Sequence, residues 1–122
     1  MSKEPIIYIK HILECIELIE KYIEGKNKVD FIETPLIQDA IIHRIEIIGE
    51  AIKNLSSEFL GNYPDIPWKE IKGMRDIIVH KYFGIDLELT WEVVEKDIPD
   101  LKSNILKIKK EMALESDSSL KK

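Results

Sequence analysis

Residues 34–55 read TPLIQDAIIHRIEIIGEAIKNL, and this stretch indicates the fold class most directly. Thr34 followed by Pro35 is typical of an N-cap and the first residue of an α-helix. Apolar residues then recur at steps of three and four along one helical face, at Ile37, Ile41, Ile45, Ile48, Ile52 and Leu55. Because this is the period of an amphipathic helix, and Phe59 continues it, we predict one helix from Pro35 to Gly61.

The segment before it shows the same helical pattern. Apolar residues from Ile6 to Ile23 recur at steps of three and four, and Gly25 stands where many helices end in a left-handed residue. The polar stretch GKNKVD at 25–30 is predicted to be a loop. The first half of the chain is therefore expected to form two long helices joined by a polar connection.

The second half contains three more helical patterns. A short helix is expected to begin at Pro67 and to end before Gly84, and Asp86 can cap the next one. Pro99 marks either a junction or a kink before the last amphipathic segment. No stretch shows a convincing strand alternation, so no strand is predicted. The sequence predicts an all-α, up-and-down bundle of four longer helices with one additional short helix.

Length and composition fit one folded domain. The chain has 122 residues, of which 44% are apolar and 34% charged, and this balance is typical of globular proteins. We expect a single helical domain over residues 1–115 and a frayed tail over 116–122. Cys15 is the only cysteine, which excludes an internal disulfide and suits a cytoplasmic protein. No apolar run has the length of a signal peptide or a membrane span.

The net charge is −5, which is the wrong sign for a general nucleic-acid binder. Proteins that bind nucleic acid draw much of their affinity from neutralising phosphates with lysine and arginine. If this chain binds nucleic acid, it must do so through a local basic patch, which more than one subunit could build.

The apolar surface of the second predicted helix is wide for a small bundle. The run AIIHRIEIIGEAI at 40–52 places isoleucines on adjacent positions, so its apolar arc exceeds one helical face. We therefore expect part of this arc to pack against a second copy of the chain in a homodimer. The alternative is that isoleucine-rich helices simply fill a tight core within one subunit.

Residues 74–84, MRDIIVHKYFG, combine an apolar helical run with Arg75, His80 and Tyr82. On a straight helix Arg75 and Tyr82 share a stripe, whereas His80 is rotated about 140° from Arg75. Arg75 and His80 could then reach one target only if the helix ends or distorts near His80, or if two copies of the segment share a cleft. Gly84 makes a helix end shortly after His80 reasonable.

The types of these residues suit phosphoryl chemistry. Lys69, Lys72 and Arg75 recur at steps of three and form a local basic stripe in an acidic chain. A histidine can take or give the proton of a ribose hydroxyl, and an arginine can stabilise charge that develops on a phosphoryl oxygen. The same residues also allow a structural interpretation, in which Arg75 pairs with a carboxylate, His80 favours the helix dipole and Tyr82 is a core aromatic.

The chain resembles the HepT-like proteins, which are the toxin half of the HepT–MntA toxin–antitoxin pairs in the HEPN superfamily. The resemblance covers nearly all of residues 5–110 and depends on phrases that occur in order: RIEIIGEAIKNLS at 44–56, IPW at 66–68, IKGMRDIIVHKYFGID at 71–86, Trp91, and DIPDLKSNI at 97–105. The family signature is an arginine, four to six residues, a histidine, one residue and a tyrosine. Here Arg75, His80 and Tyr82 match it.

This resemblance implies an all-helical HEPN fold, usually a homodimer with both motifs in one cleft. It implies a metal-independent endoribonuclease toxin of a type VII-like pair, with Arg75 and His80 as catalytic residues and Asp76 in a supporting role. It also implies a nucleotidyltransferase antitoxin similar to MntA, which silences the toxin by AMPylation of Tyr82. RNA phosphates would contact three lysines, Lys69, Lys72 and Lys81. No metal or cofactor is expected.

Other notable residues are interpreted as structural. His11 and His43 lie on the first two predicted helices without a second metal ligand or catalytic partner at convincing spacing. Cys15 is expected to be a small buried apolar residue. Gly49 costs about 1 kcal/mol relative to alanine inside a helix, so we expect it to permit a close contact with a partner chain or with the short third helix.

A second hypothesis treats the protein as a binding module without catalysis. In this interpretation a dimeric helical protein docks a nucleotidyltransferase, and Arg75 and His80 bind a nucleotide without cleaving RNA.

Overall fold

The structure is a computed structural model that describes the backbone of residues 4–80 and 84–120 and the side chains of residues 4–80 and 84–115. Its elements follow in the order α1 (Pro5–Ile23), α2 (Lys28–Glu33), α3 (Pro35–Lys53), α4 (Ser57–Gly61), α5 (Trp68–Lys72), α6 (Met74–Ile78), β1 (Val79–His80), β2 (Gly84–Ile85), α7 (Leu87–Glu92), a π-helical turn (Val93–Asp97) and α8 (Ile98–Leu120). The prediction of an all-α fold is confirmed.

The core forms where α1 packs against α3 and α8. Most isoleucines of the predicted faces are buried with at most 1% exposure, namely Ile9, Ile16, Ile19, Ile41, Ile45, Ile48 and Ile52, whereas Ile6, Ile23 and Ile37 are half-buried. Burying such side chains contributes about 1.5–3 kcal/mol each to folding, so these faces dominate the stability of the bundle. Thr34 and Pro35 stand at the N-cap and first turn of α3, as the sequence predicted.

The wide apolar arc of α3 is used mainly within the subunit. Ile42 and Ile47, which lie outside the central stripe, are half-buried and pack against the same core. On α3 the large exposed apolar side chain is Leu36 in the first turn, outside this arc, and the others lie on other elements, for example Val29 and Ile77. The pattern on α3 therefore fits a tight intramolecular core, and the homodimer stays a prediction.

The predicted second helix is two helices, α3 and α4, and the predicted loop before it contains part of a further helix, α2. The predicted loop at 25–30 contains the start of α2, which Asn27 and Asp30 open with reciprocal hydrogen bonds of 2.9 Å. The helix expected to reach Gly61 ends at Lys53. Ser56 then caps α4 by accepting a hydrogen bond from the Phe59 N–H at 3.0 Å. Apolar spacing alone did not separate α3 from α4, because Leu55 and Phe59 still pack against the core.

The predicted third helix is two short helices with a break at Gly73, and it leads into strands that the sequence did not predict. Gly73 ends α5 and precedes α6 with φ −92° and ψ 1°. After α6, Val79 pairs with Ile85 and His80 with Gly84 in an antiparallel ladder of two residues per strand. Such a short ladder leaves no period-2 pattern in the sequence, which explains the wrong prediction.

A distortion precedes Pro99, as the sequence predicted. The helical path from α7 into α8 passes through the π-helical turn, where the N–H of Ile98 donates to the carbonyl of Val93. Proline cannot donate a backbone hydrogen bond inside a helix, and a π-turn is one of the distortions that accommodate a lost ladder bond.

Candidate active site

Gly49 on α3 brings the short helices α5 and α6 close to α3. A Cβ atom built at Gly49 would lie 3.1 Å from the main-chain carbonyl oxygen of Lys72, the last residue of α5. Such a distance is shorter than ordinary van der Waals contact, so a side chain here would push the two helices apart. The prediction that Gly49 permits the approach of the short third helix is confirmed, and this approach builds the candidate site.

A surface depression of about 420 Å³ lies between α3 and the α5–α6 pair. We call it the cationic depression, because its charged lining residues are four cations and three carboxylates: Lys53, Lys69, Lys72, Arg75, Glu46, Glu50 and Asp76. The excess of one positive charge is local, since the whole chain carries −5. The predicted basic stripe of Lys69, Lys72 and Arg75 thus lies on a concave surface.

Arg75 is exposed and held loosely by two carboxylates. Its Nε lies 3.7 Å from Oε2 of Glu46 on α3, and its Nη1 lies 3.6 Å from Oδ1 of Asp76. The arginine side chain is 45% exposed, and exposed pairs of this length contribute about 0–1 kcal/mol. Arg75 therefore pairs with carboxylates, as the structural interpretation predicted, but these ion pairs contribute little to stability. The guanidinium can exchange these carboxylates for a phosphate.

The helix that carries Arg75 ends before it reaches His80. α6 ends at Ile78, and Val79 is already extended with φ −100° and ψ 114°. The helix end predicted near His80 is confirmed, and the helical offset from Arg75 no longer applies. The His80 side chain is exposed on β1. It does not line the cationic depression, so one subunit brings together Lys69, Lys72, Arg75 and Asp76 there without His80.

Asp86 fixes the base of the segment that carries His80. Its main-chain N–H donates to the carbonyl of Ile78 at 2.8 Å, which joins the end of α6 to the start of α7. Its carboxylate accepts a hydrogen bond from the Leu89 N–H at 3.0 Å and caps α7, as predicted. The buried hydroxyl of Thr90 donates to the Asp86 carbonyl at 2.7 Å. The strands β1 and β2 are therefore anchored where β1 follows α6 and where β2 precedes α7.

Lys81 and Tyr82 lie outside the described residues. The sequence places both between His80 and Gly84, which pair in the ladder.

Glu46 and Glu50 are site residues that the sequence analysis did not select. Both face the depression from α3, on either side of Gly49 along the chain, and Glu50 contacts Nζ of Lys53 at 3.1 Å. The sequence did contain a signal for them. Residues four positions apart lie on the same face of a helix, so Glu46 and Glu50 place two carboxylates beside Gly49.

Over residues 4–80 and 84–115, no three or more His, Cys, Asp or Glu side chains converge as metal ligands. None of the helices described has the length and apolar character needed to cross a bilayer.

The fold and site define an all-α protein with an exposed arginine in the first turn of a short helix and an exposed histidine just beyond the end of that helix. The family described as "Ribonuclease HepT-like" matches residues 12–108 of the chain. The chain belongs to this HepT-like ribonuclease family, and the resemblance found in its motifs is confirmed.

Several curated proteins are similar to the chain. A protein of Methanocaldococcus jannaschii named "Gamma-glutamylcyclotransferase and putative RNase" is 61% identical over 112 residues, which are 92% of this chain and 50% of that protein. The chain thus spans about half the length of this relative. A "Putative RNase" of Caldanaerobacter subterraneus subsp. tengcongensis is 41% identical, covering 87% of this chain and 95% of that protein. A "Probable ribonuclease HepT" of Thermococcus cleftensis is 43% identical, covering 90% of this chain and 100% of that protein. No solved structure matches the chain.

Proposed function

We propose that the protein is a metal-independent endoribonuclease toxin, with Arg75 and His80 as its catalytic residues and Asp76 supporting Arg75. The observation that carries the proposal is an exposed arginine in a locally cationic depression, followed within one anchored segment by an exposed histidine, in a member of the HepT-like ribonuclease family. Lys69, Lys72 and Lys81 are proposed to bind the phosphates of the RNA substrate.

The proposed reaction is attack of the ribose 2′-hydroxyl on the adjacent phosphorus. His80 takes the hydroxyl proton, the 2′-oxygen bonds to phosphorus, and the bond from phosphorus to the 5′-oxygen breaks. The 5′-oxygen leaves with a proton, and the other product ends in a 2′,3′-cyclic phosphate. Arg75 stabilises the additional negative charge on the phosphoryl oxygens in the transition state.

A homodimer would complete this site. His80 does not line the cationic depression of its own subunit, so a two-fold arrangement that sets two α6–β1 segments face to face could bring Arg75 of one copy beside His80 of the other. The second histidine would also supply the proton for the leaving 5′-oxygen. Analytical ultracentrifugation tests this part: a monomer that cleaves RNA at full rate would rule out a shared site.

Regulation is proposed through Tyr82 and a nucleotidyltransferase antitoxin similar to MntA. The tyrosine oxygen would attack the α-phosphorus of ATP, pyrophosphate would leave, and AMP would remain as a phosphodiester on the ring. Tyr82 follows His80 by two residues, so their Cα atoms can be no more than about 7 Å apart. An AMP group there would add bulk and negative charge where the RNA phosphate must bind. Intact mass, with the added AMP located on Tyr82, tests the modification.

The decisive experiment is RNA cleavage in the presence of EDTA. We expect the native protein to release fragments that end in 2′,3′-cyclic phosphate, and His80→Ala and Arg75→Ala to lose about 100-fold or more in rate. The matched control is His11→Ala, which removes another exposed histidine from α1. A His80→Ala protein that cleaves as fast as the native protein, with an unchanged helical spectrum, would refute the catalytic role.

The alternative is a non-catalytic module that binds a nucleotide or a nucleotidyltransferase. The net charge of −5 and the pairing of Arg75 with Glu46 and Asp76 favour it, because both weaken attraction for RNA. This alternative predicts nucleotide binding that Arg75→Ala removes, without RNA cleavage by the native dimer. Detection of cyclic-phosphate products would exclude it.

A further inference from the structure

A second surface groove lies on another side of the α5–α6 pair. Lys69, Lys72 and Arg75 line the cationic depression, whereas Glu70, Ile71, Met74 and Ile77 line a groove of about 450 Å³ that α8 closes from the other side. We call this the acidic groove. The two short helices that carry the motif therefore separate two surfaces of opposite charge.

The floor of the acidic groove is apolar. Ile71, Met74 and Leu101 are buried at its base, while Ile77 on α6 is 53% exposed. Because Ile77 is half exposed and lines the same groove as these buried apolar residues, it can contact an apolar group of a binding partner.

The charged residues around this floor are all carboxylates. Asp65, Glu70, Asp97 and Asp100 line the groove, and no lysine, arginine or histidine is among its described lining residues. None of the four forms an ion pair within the described chain. Burial raises the pKa of Asp97, and the neighbouring charges of Asp100 and Glu92 raise it further against the opposing effect of Lys96. The groove thus carries negative charge that its own side chains leave unneutralised.

We propose that the acidic groove docks a cationic amphipathic segment of a partner protein. An aliphatic side chain of that segment would pack on Ile77 and Met74, and its lysines or arginines would face Asp97 and Asp100 across the groove. Charge complementarity selects this occupant, and the apolar floor supplies the contact area. The proposal does not depend on ribonuclease activity, since the groove lies outside the cationic depression.

The same observations disfavour two other occupants. RNA would meet four carboxylates and no cation, so its phosphates would be repelled. A second copy of the chain joined by a two-fold axis through the groove would set the same carboxylates against each other. A head-to-tail contact, with the cationic depression of one copy in the acidic groove of the next, would build a ring or an open filament rather than a two-fold dimer.

The probe for this proposal is a synthetic helical peptide of about 14 residues, with leucines on one face and lysines elsewhere. We expect its addition to the ¹⁵N-labelled 122-residue chain to shift amide resonances around Ile77, Asp97 and Leu101. Replacing the peptide's leucines by serine should abolish these shifts, and so should replacing its lysines by glutamate, because both the apolar and the charged contact are required.

Two protein variants with the same change in charge separate docking from general attraction. Asp97→Asn combined with Asp100→Asn should lower the affinity of the protein for the peptide by about fivefold, as expected for the loss of two partly exposed charge pairs. Glu14→Gln combined with Glu17→Gln, on the exposed acidic face of α1, should change the affinity by less than about twofold.

Three outcomes would overturn the proposal. Equal weakening by the two variants, or shifts centred on α1, would mean non-specific attraction to an acidic protein. Shifts at the groove on addition of an RNA oligonucleotide would assign it to RNA. A native dimer or larger assembly that Ile77→Lys dissociates in sedimentation would assign the groove to a second copy of the chain.

Discussion

The main-chain N–H of Asp86 lies 2.8 Å from the carbonyl oxygen of Ile78, and this hydrogen bond ties the start of α7 to the end of α6. Between these two residues in the sequence lies His80, on the strand β1 that pairs with β2. A histidine beyond the end of a helix would otherwise sample many orientations. The Ile78–Asp86 contact, together with the cap that Asp86 provides to α7, limits that freedom.

The first prediction concerns this anchor. Asp86→Ala removes the carboxylate that caps α7, which should destabilise the protein by about 1 kcal/mol and loosen the His80 segment. We expect lower melting temperature and, if the protein is a ribonuclease, a reduced kcat that Asp86→Asn largely restores. Ser56→Ala is the matched control, since it removes the N-cap of another short helix, α4. Its stability should fall similarly while kcat stays near native, and equal losses of kcat would contradict a positioning role for Asp86.

The second prediction concerns the approach of α5 to α3. Gly49→Ala places a Cβ 3.1 Å from the Lys72 carbonyl, and overpacking of this kind costs about 1–3 kcal/mol against a gain in helix propensity of about 1 kcal/mol. We expect a net loss of stability in chemical denaturation. Gly61→Ala, at the end of α4, meets nothing within 4 Å and should be neutral or stabilising. A Gly49→Ala protein as stable as Gly61→Ala would mean that the contact yields easily.

The third prediction concerns the carboxylate beside the motif arginine. Glu46→Gln removes a negative charge from the cationic depression and frees Arg75 from one partner. We expect RNA to bind more tightly, with a steeper salt dependence, while the melting temperature changes little because the pair is exposed. The control is Glu20→Gln, which breaks another exposed pair between helices, with Lys102 at 2.9 Å. If the two variants bind RNA with the same affinity, the charge of Glu46 does not affect RNA binding.

The fourth prediction is a pH dependence of stability. The pKa of Asp97 is raised above its ordinary value of 3.8, chiefly by burial, so ionising this group costs more in the folded than in the unfolded state. Its stabilising contribution is complete below the unfolded pKa and is lost as the pH rises through the folded one. Asp97→Asn should therefore raise the melting temperature at pH 7 and leave it nearly unchanged near about pH 3.5. A variant less stable than the native protein at pH 7 would contradict this assignment.

Local signals in the sequence predicted most of the helices. The isoleucine spacing of α1 and α3, the Thr34–Pro35 start, the Asp86 cap and the distortion before Pro99 depend on residues within a few positions of each other. The capping pair of Asn27 and Asp30 was a local signal that the sequence analysis missed. Helix period alone could not show the break at Gly73, because both sides of the break continue the same apolar face.

The candidate site was only partly predictable. The basic stripe and the end of α6 near His80 were expected, but Glu46, Glu50 and the separate acidic groove were not. The distances between Glu46 and Arg75, or between Met74 and Leu101, depend on how α3 and α8 pack against the short helices. The two residues of these pairs are 29 and 27 positions apart in sequence, so no local pattern encodes the contact.

The sequence by itself determined the all-α class, the buried faces and the family, since helix period and motif order are properties of neighbouring residues. Only the tertiary structure decided which charges share a surface. The absence of a side chain at Gly49 lets α5 approach α3 and sets Arg75 beside Glu46. The packing of the π-helical turn and α8 places Asp97 and Asp100 across from Glu70 and Ile77. These juxtapositions follow from the packing of whole helices, because only packing brings residues distant in sequence within reach of each other's charge.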